Sequence, residues 1–246
     1  MARLDVQVST PDGACPAVLL TPEGAGPWPA VIVFMDAGGV REAIVEIGEH
    51  IAALGYVALV PEMYYRHGPY EPFRIETAFT DPDERQRLGE LAGGLSKEMA
   101  VSDTGAFLEF LDNRPEVGAT MVGTTGYCMG GALSLTAAAH HPDRIGAAAS
   151  FHGGHLVTDA PDSPHRVVAQ ITGRVCVAGA LDDGSFTREQ AEQLEQALTD
   201  GGVDHVVETY PAAHGFAVAD NPTYDAEADR RHLDALRDLF GQMLGD

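Results

Sequence analysis

Gly126-Tyr127-Cys128-Met129-Gly130-Gly131 constrains what this chain can fold into more than any other stretch. Just before it, Ala119-Thr120-Met121-Val122-Gly123-Thr124-Thr125 reads as a short buried strand, and just after it Ala132 to His140 is rich in Ala and Leu and reads as a helix. Strand, tight turn and helix are the context that the nucleophile-elbow pattern G-x-S-x-G requires, here with Cys128 in the place of serine. The glycines at 126, 130 and 131 let the backbone turn sharply and let strand and helix pack without a Cβ between them. Cys128 would then stand at a helix N-terminus, where the dipole and free N–H groups favour a thiolate. Free cysteine is most often a small buried hydrophobe. The strand–turn–helix setting points instead to a nucleophile.

With 246 residues, 45% of them hydrophobic, the chain can bury one sizeable core, as a single α/β domain over 1–246 would. Met1-Ala2-Arg3-Leu4-Asp5 lacks the basic and apolar regions of a signal peptide, and no apolar run approaches ~18 residues, so a soluble cytoplasmic protein is expected. Cys15, Cys128 and Cys176 form neither a C-x-x-C pair nor an even framework; no structural disulfide or zinc site is expected. The net charge of −22, with Lys97 the only lysine, argues against nucleic acid and anionic membranes as partners. An anionic substrate would need a local cationic anchor. Nothing in the composition goes beyond a monomer or small homo-oligomer.

Along the chain, Leu4 to Ser9 and Pro16 to Leu20 flank the turn Pro11-Asp12-Gly13, an antiparallel hairpin expected at a sheet edge. Pro29 to Met35 is a continuous apolar run, as in a strand buried on both faces, and ends in Asp36-Ala37-Gly38-Gly39. Ile44, Ile47, Ile51 and Leu54 recur at helical spacing, and Tyr56 to Val60 is the next strand. Residues 61–80 show no periodicity and read as a loop or lid excursion, whose aromatics Tyr64, Tyr65, Tyr70, Phe73 and Phe79 suit either a pocket wall or core packing. Helices follow from Asp81 and over Ser96 to Leu111. Beyond the elbow, strands over Ile145–Phe151, Arg174–Ala178 and Val203–Tyr210 alternate with helices over Glu189–Leu198 and Tyr224–Leu244. This alternation predicts a mostly parallel sheet with helices on both faces.

Functional residues of such sheets gather at the carboxyl ends of strands. Cys128 follows one such end, Asp182-Asp183 another, and His214, in Ala212-Ala213-His214-Gly215-Phe216, a third. The order nucleophile, acid, histidine is that of the α/β-hydrolase fold. His214 would take the thiol proton and return it to the leaving alkoxide while a carboxylate holds its tautomer. Counting from Gly179 selects Asp182 as that carboxylate; counting back from Phe186-Thr187 selects Asp183, the favoured choice. The backbone N–H groups of Met129 and of the loop near Ala37 are candidates for binding the oxyanion. His152-Gly153-Gly154-His155 also follows a strand, where a structural or pocket-lining role outweighs a metal-binding one.

With these features in place, the chain resembles the dienelactone hydrolase family over nearly its whole length. Gly-Tyr-Cys-Met-Gly-Gly-Ala at 126–132, Asp83-Glu84-Arg85-Gln86-Arg87, His214-Gly215-Phe216, and Tyr56 with Pro61 and Tyr64 carry the resemblance. It implies hydrolysis of lactones and esters by a Cys128–His214–Asp183 triad without metal or cofactor. It also implies that Asp36 stands where the family has a glutamate touching the resting thiol. The aspartate is shorter by about 1.5 Å, and misplacement of that order can cost ~10²-fold in rate. Of the two arginines that hold the family's substrate carboxylate, Arg87 matches the first, while Val218 occupies the position of the second; Arg66 or Arg74 could substitute. A less charged ester or lactone is therefore expected. Tyr64 is a further candidate for contact with substrate.

Two other classes compete. A redox-sensing or binding protein built on a thiolate-prone Cys128 would be oxidised rather than acylated, though no resolving cysteine lies near it in sequence. A nucleotide-binding oxidoreductase would use Gly123, Gly126 and Gly130, but a dinucleotide loop should follow the first strand, and this one lies deep in the chain.

Overall fold

The computed structural model describes residues 1–245; Asp246, the last residue of the expected domain, lies outside the described residues. Eight strands form one sheet in the order β1-β2-β4-β3-β5-β6-β7-β8. They are β1 (Ala2–Thr10), β2 (Gly13–Thr21), β3 (Trp28–Phe34), β4 (Val57–Pro61), β5 (Val117–Tyr127), β6 (Ile145–Phe151), β7 (Arg174–Asp182) and β8 (His205–Ala213). The helices are α1 (Glu42–Ala53), α2 (Ile75–Ala78), α3 (Pro82–Gly93), α4 (Lys97–Asp112), α5 (Met129–His140), α6 (Pro164–Val167), α7 (Arg188–Asp200) and α8 (Ala226–Met243). The hairpin β1–β2 lies at one edge and joins β4 antiparallel, and every pairing from β4 through β8 is parallel. This is an α/β-hydrolase arrangement, as the alternation predicts.

Burial follows from sequence pattern. Val31 to Phe34 on β3 are wholly buried, since helices cover both faces of the parallel sheet. Helix α5 is buried from Gly130 to Ala139, which explains its small, almost unpatterned residues. A bulkier helix could not lie so near the sheet. By contrast α3 buries only Leu91 and keeps its charged residues in water. Asp81 caps α3 by accepting from the Asp83 and Glu84 amides, Ser96 caps α4 through the Met99 amide, and Thr187 with Gln190 forms a capping box on α7.

Parallel register brings the functional strand ends together. Phe34 pairs with Gly126, Tyr127 with Phe151, Phe151 with Ala178, and Ala180 with Tyr210. The residues leaving these ends, Asp36, Cys128, His152, Asp183 and His214, therefore emerge on one side. Two strands run further than the sequence suggests: β7 reaches Asp182 and β8 reaches Ala213, with an irregularity in their pairing between Ala180 and Asp182. Residues 61–80 are not one loop but contain a 3₁₀ turn over Tyr65–His67 and the short α2. Among the described residues no helix is long and apolar enough to cross a membrane.

Candidate active site

Cys128 sits between β5 and α5 with φ 53° and ψ −117°, a left-handed conformation unusual for a residue with a side chain. Such strain costs roughly 1–3 kcal/mol and persists only when the surroundings enforce it. They do so here. The Cys128 amide donates to Phe151 O at 3.3 Å, and its carbonyl accepts from Gly131 N at 3.1 Å and Gly154 N at 3.0 Å. A Cβ at Gly126 would strike the Gly130 carbonyl, and one at Gly130 would strike those of Phe34 and Met35. Those glycines are what lets the helix start against the sheet. Cys15 is buried, whereas Cys128 is partly open to the cavity above it.

On the turn after β8, His214 Nδ1 lies 2.7 Å from Asp183 Oδ2. The other Asp183 oxygen accepts from the Ser185 amide and hydroxyl, both at 2.7 Å. Burial alone would raise the Asp183 carboxyl, but the hydrogen bond and charge of His214, together with Ser185, bring it below the usual carboxylate range. Burial likewise opposes charge on His214; the hydrogen bond to Asp183 and the influence of neighbouring Cys128 outweigh it and push the imidazole up to about 10. Asp182 is excluded from this cluster. It is the last residue of β7, its side chain faces solvent, and only its carbonyl takes part, accepting from His214 N at 3.1 Å.

His152 closes the floor of the cavity. It is 1% exposed, holds φ 38°, and packs its ring 5.1 Å from that of His214 and 5.0 Å from Phe216. Neither ring nitrogen has a hydrogen-bond partner among the described residues. Burial, reinforced by the neighbouring His214 and His232, keeps its pKa well below that of free histidine. His155 is exposed and takes no part. A second histidine that sequence reasoning passed over, His232, receives the Tyr127 hydroxyl at 2.7 Å and reaches Asp229 at 3.1 Å, anchoring the end of β5 from α8.

Ala37 and Met129 are adjacent, since the Tyr64 hydroxyl donates to Ala37 O at 3.0 Å and contacts Met129 Sδ at 3.7 Å. Among the described residues neither backbone N–H has a protein acceptor; Ala37 lines the cavity over Cys128, and Met129 does not.

Residues 15–244 match the model of the dienelactone hydrolase family. The chain belongs to that family. A relative from Synechocystis, named "Putative carboxymethylenebutenolidase", is 31% identical over 226 residues, covering 90% of this chain and 89% of its own. A crystal structure from Klebsiella pneumoniae, described as "Putative Dienelactone Hydrolase", superposes with a TM-score of 0.81 at 25% identity, covering 98% of this chain and all of the other. The metagenomic protein P91, a "Dienelactone Hydrolase-like Promiscuous Phospotriesterase", gives 0.77 at 26% identity with both chains covered in full. The protein is thus a hydrolase of the ester and lactone class, on an α/β-hydrolase fold.

Within this dienelactone hydrolase family member, four expected site residues are placed otherwise than expected. Asp36, 6% exposed, does not bond the thiol: its oxygens accept from Arg41 at 2.6 and 2.9 Å and from Gly38 N at 2.9 Å. Arg41, which the sequence did not single out, also binds Asp220 at 2.6 and 2.9 Å. Tyr64 is buried beneath the loop that carries Ala37 and does not line the cavity. Arg87 stacks over Phe73 at 4.0 Å and binds Glu84 at 2.7 Å and the Glu71 carbonyl at 2.5 Å, so its guanidinium is turned to its own segment. Arg66 cannot replace it, being held by Asp12 and the buried Asp103. Of the aromatics in 61–80, only Phe79 reaches the cavity; Tyr64, Tyr70 and Phe73 pack on one another.

Proposed function

We propose that the protein hydrolyses carboxylic esters or lactones by acyl transfer to Cys128. His214 takes the thiol proton, and the thiolate attacks the acyl carbon while the carbonyl oxygen gains charge beside the N–H groups of Ala37 and Met129. Collapse of the tetrahedral species breaks the acyl–oxygen bond, and the leaving alkoxide takes the proton from His214. Water then gives a proton to His214 and attacks the thioester. The second collapse releases the acid, and the proton returns to sulfur. Asp183 fixes the imidazole with its Nδ1 protonated, leaving Nε2 to exchange protons with sulfur and oxygen.

The observation that carries this reading is the line Cys128–His214–Asp183 at a strained elbow, with the acid 2.7 Å from the imidazole. Acid quenching during turnover of para-nitrophenyl acetate tests it. An acetyl mass on Cys128 and loss of turnover in Cys128→Ala are expected; turnover that survives the substitution refutes the mechanism. The likeness to P91 adds an uncharged phosphotriester to the panel of substrates worth assaying.

A further inference from the structure

The cavity over Cys128, about 290 Å³, carries two carboxylates, Asp36 and Glu76, and among the described residues no arginine or lysine lines it. The rest of its wall is uncharged: Ala37, Ile75, Phe79 and Pro222 are apolar, and Thr80, Thr223 and Asn221 add two hydroxyls and one amide. The arginines that could approach it are committed elsewhere. Arg41 divides one positive charge between Asp36 and Asp220, Arg87 is bound to Glu84, and Arg66 to Asp12 and Asp103. Arg74 is exposed and outside the wall. Glu76, an exposed residue on the cavity lining, has neither an ion-pair nor a hydrogen-bond partner among the described residues, so no cation compensates its charge. His214, the one group there with imidazolium character, is balanced by Asp183.

The second observation is the buried His152. Both of its ring nitrogens are shut off from solvent without a protein partner, and burial holds its pKa well below that of free histidine, so it adds no positive charge to the cavity floor.

We propose that this cavity selects uncharged esters or lactones against substrates bearing a carboxylate, and that Glu76 is the specificity-determining residue. The proposal rests on the ester-hydrolase reading above. Its test uses three aryl acetates of different charge: methyl para-acetoxybenzoate, para-acetoxybenzoate and para-acetoxyphenyltrimethylammonium. Each kcat/KM is divided by that ester's own alkaline hydrolysis rate, with Cys128→Ala as control. Like charges ~6 Å apart in a partly screened site lead us to expect the anionic ester to lag the neutral one by about tenfold, or about 1.4 kcal/mol. The gap should narrow to less than about threefold in Glu76→Gln, and also toward 1 M salt, where the screening length falls to about 3 Å. Glu192→Gln, on exposed α7, should leave the ratio as it is.

Equal or faster turnover of the anionic ester overturns the inference and leaves the hydrolase reading intact. An unchanged ratio in Glu76→Gln overturns the role of that residue. Absence of Cys128-dependent turnover with all three esters removes the ester-hydrolase reading, and this inference with it.

Discussion

Replacing Asp183 by Asn separates charge from shape at the centre of the site. In the native arrangement one carboxylate oxygen accepts two hydrogen bonds from Ser185, and the other faces His214 Nδ1 at 2.7 Å. An asparagine there must keep its oxygen toward Ser185, because the Ser185 amide can only donate. Its NH₂ group then faces Nδ1 and requires that nitrogen to accept, which moves the imidazole proton to Nε2. An imidazole protonated at Nε2 cannot take the thiol proton. Loss of a tautomer in this way is worth ~10⁴-fold in kcat in a serine protease triad, and a loss of about 10³–10⁴-fold, or about 4–5.5 kcal/mol, is expected here. The assay is kcat/KM on a neutral aryl ester together with the rate of Cys128 alkylation by iodoacetamide at pH 7. Both should fall, whereas Asp182→Asn, altering a side chain in solvent, should change either by less than about threefold. Activity within tenfold of wild type in Asp183→Asn refutes the assignment of the acid.

Three further outcomes follow from the same geometry. His214 is raised from its ordinary value near 6.5 to about 10, so its contribution to stability is complete below about pH 6.5 and is lost as pH rises toward 10; Asp183 is lowered, so its contribution is present above its ordinary carboxylate range and is lost on acidification. Urea unfolding of wild type and His214→Gln should therefore differ most at mildly acidic pH and converge above pH 10, and a difference that grows with alkalinity contradicts the pairing. Arg41→Met strands the buried Asp36 carboxylate and should cost about 3–5 kcal/mol by urea unfolding, with most of it recovered in Asp36→Asn/Arg41→Met. Tyr64→Phe removes the hydroxyl that holds the Ala37 carbonyl and should lower kcat about tenfold with little change in KM, since a loosened oxyanion loop harms the transition state more than binding; a change confined to KM would point to direct contact with substrate.

Much of this arrangement is legible in the chain because local rules and global topology agree. The glycines around Cys128, the apolar run of β3 and the caps at Asp81, Ser96 and Thr187 each dictate a local geometry that the sheet then uses. What escaped is what depends on where a strand ends or on a partner far away. Asp182 and Asp183 cannot be told apart until the irregular pairing after Ala180 turns one outward and one inward. Arg87 has the composition of a substrate anchor, but Glu84 three residues back and the Phe73 ring satisfy it first. The position of Tyr64 under the Ala37 loop follows from how 61–80 folds back, for which the sequence has no periodic signal. His152 and His155 share a place after a strand and a pocket-lining reading in the sequence, and only the fold buries the first beside β5 and leaves the second in solvent.

The clasp made by Arg41 spans 179 positions, tying the loop that offers the Ala37 amide to the loop that follows His214. A ribosome therefore completes Cys128 and its elbow long before it supplies His214 or the second half of the clasp. Until Asp220 emerges, Arg41 has only the Asp36 carboxylate to bind, and the rim of the cavity stays unclasped until late in synthesis.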